Sequence, residues 1–235
     1  MSGVQAPPAH PDTAERASGL RSAYIHIPFC ARVCPYCDFA VVGGADERMT
    51  EYMDAVVAEI AAEPQWHRLD AVFVGGGTPS RVPLDQMRRV LDALAVRFGL
   101  AAEAEVTLEA NPEDWTQEYS DALAEVGFNR VSFGVQSFDP VVLVSLGRLH
   151  TPTDASEAVA VARASGFDSV SVDLIYGHPV ETEVSWLDTL KTVIEVGPDH
   201  VSTYSLTVEP GTELWKQVRS GAPAPDSDIQ ADRWE

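Results

Sequence analysis

The sequence has only three cysteines in 235 residues, all between positions 30 and 37. Three thiols cannot all pair with one another, so a disulfide scaffold is excluded and a metal or redox role gains weight. Positive charge is also scarce: 16 Lys and Arg stand against 36 Asp and Glu, a formal net charge of −20. Such a surface meets a phosphate backbone with like charge, so nucleic acid is not an expected partner. No run of 18 or more apolar residues occurs, and the first twenty residues lack the apolar centre of a secretory signal and carry Asp12 and Glu15. Neither a membrane span nor export is expected; the chain reads as cytoplasmic, with residues 1–20 a disordered Ala/Pro-rich leader. Walker and GxGxxG phosphate-binding signatures are absent as well.

What is present is a core. Hydrophobic residues make up 45% of the chain, enough for one α/β domain of this length. Short β-branched or aromatic runs recur at 22–29, 70–77, 105–111, 130–137, 169–177 and 200–208. Between them, 47–63, 84–98, 117–127, 152–166 and 183–197 carry apolar residues at helical spacing, with Val56, Ile60, Leu91 and Leu94 as core positions. Strand alternating with helix, without a hairpin signal, predicts parallel strands joined by right-handed crossovers. The expectation is an α/β fold, a partial (β/α)6 barrel over residues 21–215, with polar and glycine residues of the strand ends (Gly75 to Thr78, Glu109, Gln136, Asp173) on one rim. Residues 216–235 read as a Pro-rich linker and the start of a truncated C-terminal domain.

The cysteines lie in FCARVCPYC, residues 29–37, separated by three and then two residues. Thiolates bind zinc or iron–sulfur clusters. Structural zinc would need a fourth ligand, for which His26 is a candidate. A four-iron cluster can take three thiolates and leave one iron without a protein ligand, although four-cysteine ligation is the usual pattern. The residues alone leave both open.

CxxxCxxC with Tyr36 before the last cysteine resembles the signature of the radical S-adenosylmethionine (SAM) superfamily. YIHIPFCARVCPYCDF, GGGTPS, LEANPE, RVSFGVQSF, LGRLHT, DLIYGHP and YSLTVEPGTEL follow in order over residues 22–214. Together they resemble the branch that contains oxygen-independent coproporphyrinogen III oxidase and a group of haem chaperones. The resemblance implies a 4Fe–4S cluster on Cys30, Cys34 and Cys37, whose free iron is chelated by SAM. One electron from such a cluster cleaves SAM to methionine and a 5′-deoxyadenosyl radical, so the protein's task is to bind, orient and shield.

The same resemblance implies the remaining cofactor contacts. Gly76, Gly77 and Thr78 belong to the loop that holds the SAM ammonium group; apart from the resemblance, they are a tight strand-to-helix turn. Glu109 is assigned to the SAM ribose, against an exposed helix-capping carboxylate. Tyr24 is placed at the SAM face of the first strand, against a barrel-core aromatic. Gln136, Arg148 and Asp173 are placed around the SAM region, including a second bound SAM; the alternative is a buried Arg148–Asp173 ion pair tying strands together. Tyr36 and Thr207 are further matches. His26 and His150 are candidates for a ligand or proton donor, or for satisfied histidines at strand ends.

Within the branch, the oxidase carries a fourth cysteine in CxxxCxxCxC, whereas here Asp38 and Phe39 follow Cys37, as in the chaperone group. This implies haem handling and delivery to an apo-haemoprotein, with an electron donor as a further partner. Radical decarboxylation of a porphyrinogen is the alternative, and a zinc-stabilised α/β binding module the outside one.

Overall fold

A computed structural model describes residues 21–64 and 67–235. The 1–20 leader lies outside them. The strands are β1 (Ser22–Ile27), β2 (Phe29–Cys30), β3 (Val42–Gly43), β4 (Leu69–Gly76), β5 (Leu100–Ala110), β6 (Arg130–Gln136), β7 (Ser169–Tyr176) and β8 (His200–Ser205). The α-helices are α1 (Met49–Ala62), α2 (Leu84–Arg97), α3 (Gln117–Val126), α4 (Pro140–Ser145), α5 (Pro152–Ala164), α6 (Glu183–Val196), α7 (Glu213–Arg219) and α8 (Ser227–Trp234).

Six strands form one parallel sheet in the order β1-β4-β5-β6-β7-β8. β1 and β8 are edges that do not pair with each other, so the predicted partial barrel is what forms. The six strand-like runs each supply one strand of this sheet.

Alternation of side chains fixes the two faces. Val72, Val74, Val106, Leu108, Val131, Phe133, Val170 and Val172 are buried under the helices. They pack with Met53, Met87, Leu123, Val159 and Trp186 in one apolar core. Ile60, Leu91 and Leu94 are buried in it, and Val56 packs against it half-buried. Each such side chain contributes about 1.5–3 kcal/mol by leaving water. The opposite face carries Glu109, Ser132, Gly134 and Asp173 and opens onto a cavity.

Helix starts follow from local chemistry. Thr151 accepts from the Asp154 N–H while the Asp154 carboxylate receives the Thr151 N–H, a reciprocal cap with Pro152 in the first turn. Thr182 and Ser185 do the same for α6. α8 packs back on the barrel: Gln230 Nε2 donates to the Leu206 carbonyl at 2.8 Å and Trp186 Nε1 to the Arg233 carbonyl at 3.2 Å. No helix among the described residues is long and apolar enough to cross a membrane.

Candidate cofactor site

The short parallel ribbon of β2 and β3 begins the site, because it turns the chain out of the sheet directly after β1. Val42 N–H donates to the Pro28 carbonyl at 2.8 Å and Gly44 N–H to the Cys30 carbonyl at 3.1 Å. The ribbon closes a loop that holds all three cysteines. Cys37 N–H donates to the Cys34 carbonyl at 3.0 Å, a tight turn that sets those two residues side by side. Two further contacts pin the loop: Arg32 donates to the Gly147 carbonyl, and Leu214 N–H to the Pro35 carbonyl at 2.8 Å.

The glycine turn after β4 packs against this loop. Gly77 N–H donates to the Ile27 carbonyl at 2.7 Å and Thr78 N–H to the Phe29 carbonyl at 2.8 Å. A Cβ at Gly77 would sit 2.7 Å from the Phe29 oxygen and 2.9 Å from Cys30 Sγ. Gly76 has φ +121°, and a Cβ there would lie 2.6 Å from the His26 ring. Glycine is required at both positions by contact, and at Gly76 also by conformation.

Cys30, Cys34 and Cys37 line one cavity of about 640 Å³ together with Tyr36, Gly76, Gly77, Thr78, Glu109, Gln136, Arg148, Asp173 and Thr207. Nine of the ten cofactor positions named from the resemblance are therefore brought to the cysteines. Tyr24 is the tenth and does not line the cavity. Its ring stacks on Phe73 with centroids 5.9 Å apart, and its hydroxyl lies 3.2 Å from His26 Nδ1. It stands two residues before His26 on β1 and is exposed.

The histidines are committed. His26 Nε2 lies 2.8 Å from the Ala40 carbonyl, which requires the N–H on that nitrogen and leaves Nδ1 to accept from Tyr24. His150 is buried, with Nε2 2.9 Å from the Val135 carbonyl and Nδ1 3.2 Å from Glu113 Oε2. Neither is aimed at the thiols. The Arg148–Asp173 ion pair does not form either. Arg148 Nη2 donates to Asn111 Oδ1 at 2.5 Å and to the Gly134 carbonyl at 2.7 Å, while Asp173 accepts from Ser132 Oγ at 3.2 Å.

Burial sets the electrostatics. It pushes the Glu109 and Asp173 carboxyls above their ordinary range, more than the Gly76 N–H on one and the serine hydroxyls on the other pull them down. Cys30 and Cys37 thiols are raised by burial too. Burial also pushes Glu113 up, but the His150 hydrogen bond and nearby cationic groups bring it below the ordinary value. Gln136 is the one non-glycine residue with positive φ, +67°, among the described residues. It stands where the β6–β7 register shifts, so its side chain is re-aimed into the cavity.

Three thiols with no committed fourth protein ligand suit a cluster with one open iron better than tetrahedral zinc. Among the described residues, no three His, Cys, Asp or Glu side chains gather around a single ion. The small-residue turn beside Cys30, with Glu109 and Asp173 across the cavity, leaves room and polar partners for a ligand at that open corner. Ser132, Asn111, Phe39 and Tyr204 also line the cavity and were not singled out as cofactor contacts. Ser132 was legible from alternation along β6. Asn111 donates from its side-chain amide to Thr78 Oγ1 at 3.3 Å.

Comparison with known proteins gives the family. Residues 24–193 match the family model described as Radical SAM superfamily. The chain is 40% identical over 238 residues to a protein named heme chaperone HemW from Mycobacterium tuberculosis (strain ATCC 25618 / H37Rv), covering 98% of this chain and 61% of that relative. It is 39% identical over 197 residues to the heme chaperone HemW of Escherichia coli (strain K12), covering 81% of this chain and 52% of that one. Among solved structures, coproporphyrinogen III oxidase (HemN) from Escherichia coli superposes with a TM-score of 0.80 at 30% identity, over 91% of this chain and 51% of that one.

Proposed function

Because this chain belongs to the radical SAM superfamily, in the branch of HemW and HemN, we propose that it carries a 4Fe–4S cluster on Cys30, Cys34 and Cys37, binds SAM, and handles haem for delivery to an apo-haemoprotein. The observation that carries the cofactor part is the single cavity shared by the three thiols, the Gly76–Thr78 turn, Glu109, Gln136 and Asp173. When bound, the cluster supplies one-electron chemistry to SAM.

The chain's own groups have separable tasks. Gly76 and Gly77 present backbone close to Cys30, where a side chain would fill the space. Glu109 Oε2 is held by the Gly76 N–H, leaving Oε1 for ligand hydroxyls. Asp173 is oriented by Ser132 and lines the cavity, so it too can accept from a ligand. Gln136 reaches the same space from a bulged strand end.

Phe39, which stands two residues after Cys37 and lines the cavity, favours the chaperone over the oxidase, whose CxxxCxxCxC signature has its fourth cysteine at that position. The 40% identity to a HemW supports the same choice. The chain spans about three fifths of that relative's length. Haem binding, the acceptor and the electron donor are therefore proposed for the whole protein, acting in the cytoplasm.

The test is an anaerobic incubation of reconstituted protein with SAM, a reductant and either coproporphyrinogen III or haem. Haem binding and passage to an apo-haemoprotein without porphyrinogen turnover supports the chaperone. Decarboxylated product would instead establish the oxidase, the reading favoured by the 0.80 superposition on HemN.

A further inference from the structure

The three sulfurs facing the cavity have unequal surroundings. Arg148 Nη1 donates to Cys34 Sγ across 3.6 Å, and Tyr36 lies close enough to the same sulfur to feel its charge. Cys30 meets the neutral Thr78 hydroxyl, and Cys37 the backbone N–H of Phe39. The guanidinium is built in rather than loose: Nη2 bonds Asn111 Oδ1 and the Gly134 carbonyl, while Nε is buried without a partner. Swinging it out to a ligand carboxylate would break both strand-end bonds and the contact with Cys34.

We infer that Arg148, with Tyr36 in support, is a positioning residue for the metal centre: it fixes the Cys34 thiolate and makes the bound cluster easier to reduce. The inference rests on the reading of the three cysteines as cluster ligands. The resemblance places Arg148 around the SAM region; within the protein its donors reach a cysteine and the frame around it. Reduction by an external one-electron reductant adds one negative charge to the centre, with no bond broken and no proton moved. A fixed cation 3.6 Å from a ligand sulfur favours that added charge, and hydrogen bonds to sulfur and net charge are the levers that set cluster potentials. Arg148 also ties this sulfur to the SAM side of the cavity, because Gly134, whose carbonyl it holds, lies two residues before Gln136 on β6.

The experiment uses the chain reconstituted anaerobically with iron and sulfide, as wild type, Arg148→Gln, Arg148→Lys and Tyr36→Phe. Iron and sulfide content, midpoint potential by electron paramagnetic resonance at set potentials, and SAM affinity by calorimetry are measured on each. In Arg148→Gln the reduced-to-oxidised ratio at the wild-type midpoint is expected to fall about tenfold, equivalent to about 59 mV for one electron. Arg148→Lys, which keeps the charge, should fall between, and Tyr36→Phe should shift less in the same direction. A fully loaded Arg148→Gln protein with the wild-type midpoint overturns the inference, as does a loss of SAM affinity with the midpoint unmoved. If Arg148→Gln takes up no cluster, Tyr36→Phe decides: a negative shift supports the inference and an unchanged midpoint overturns it. Failure of the wild type to assemble a cluster would bring down the cofactor reading itself, whereas a normal wild-type cluster with unmoved variants removes only this inference.

Discussion

The backbone N–H of Gly76 donates to Glu109 Oε2 over 2.8 Å, joining the end of β4 to the end of β5 inside the cavity. The bond does not repay the burial of the carboxylate, whose affinity for a proton stays above the ordinary glutamate value. A group that binds its proton more tightly folded than unfolded lowers stability as pH rises from the unfolded to the folded value. The ligand-free protein should therefore lose some stability through Glu109 as pH rises from about 4, near the ordinary glutamate value, to the raised value of the buried carboxyl. Glu109→Gln can still accept from Gly76 and carries no charge. It is expected to flatten this part of the thermal-midpoint profile and to melt higher than wild type near neutral pH, while binding SAM more weakly. A variant whose profile parallels wild type across that range would show that the buried carboxyl is not under this strain.

Gly77→Ala tests the cradle. Its Cβ would meet the Phe29 oxygen at 2.7 Å and the Pro28 carbonyl carbon at 2.9 Å, both backbone atoms, and Cys30 Sγ at 2.9 Å. Overpacking of this kind costs about 1–3 kcal/mol. The expected result is a folded protein with a lower melting temperature and reduced iron content after reconstitution. Iron content equal to wild type would mean that the turn and the cysteine loop move apart at no cost to the centre.

Each of Cys30→Ala, Cys34→Ala and Cys37→Ala is expected to abolish the visible absorbance of the reconstituted centre, since no committed fourth protein ligand stands by to replace a lost thiolate. Both ring nitrogens of His26 are occupied by Ala40 and Tyr24, so it should not rescue any of the three. Retention of a normal spectrum by any one variant would show that a protein ligand outside this set completes the cluster.

The parallel sheet was legible because short β-branched or aromatic runs alternate with helically spaced segments: RVSFGVQS predicts a strand at 130–137, and β6 is Arg130–Gln136. The β2–β3 ribbon, two residues a side, is too short to carry a period, and so the device that folds the cysteine loop over the sheet could not be read. α4 was missed although Asp139 and Pro140 offer a cap and a first-turn proline; Asp139 Oδ1 accepts from Val141 N–H at 2.7 Å. Among the site residues, motif spacing identified what faces the cavity but not what each side chain does there. Tyr24 shares the inward face yet uses its hydroxyl on His26. The alternative pairing of Arg148 with Asp173 does not form; the arginine fork reaches the β6 carbonyl at Gly134, and only three-dimensional register reveals that.

Asp173 gives the sharpest separation between the cluster and the nucleotide. It lies on β7 beside Gly134 of β6, accepts from Ser132 Oγ at 3.2 Å and lines the cavity. Burial raises its carboxyl despite the serine hydroxyls, so it sits ready to accept a stronger donor from a bound ligand. Asp173→Asn keeps the shape and removes the charge. A lost hydrogen bond to a charged group is worth about 1.5–3 kcal/mol, so SAM affinity should fall between roughly tenfold and a hundredfold or slightly more, each tenfold step being about 1.4 kcal/mol. Iron and sulfide content should stay at wild-type level, because no cysteine depends on Asp173. Calorimetry on the loaded protein measures the first and metal analysis the second. Unchanged affinity with a full cluster would leave Asp173 a strand-tying residue hydrogen-bonded to Ser132, and would shift the nucleotide toward Glu109 and Gln136.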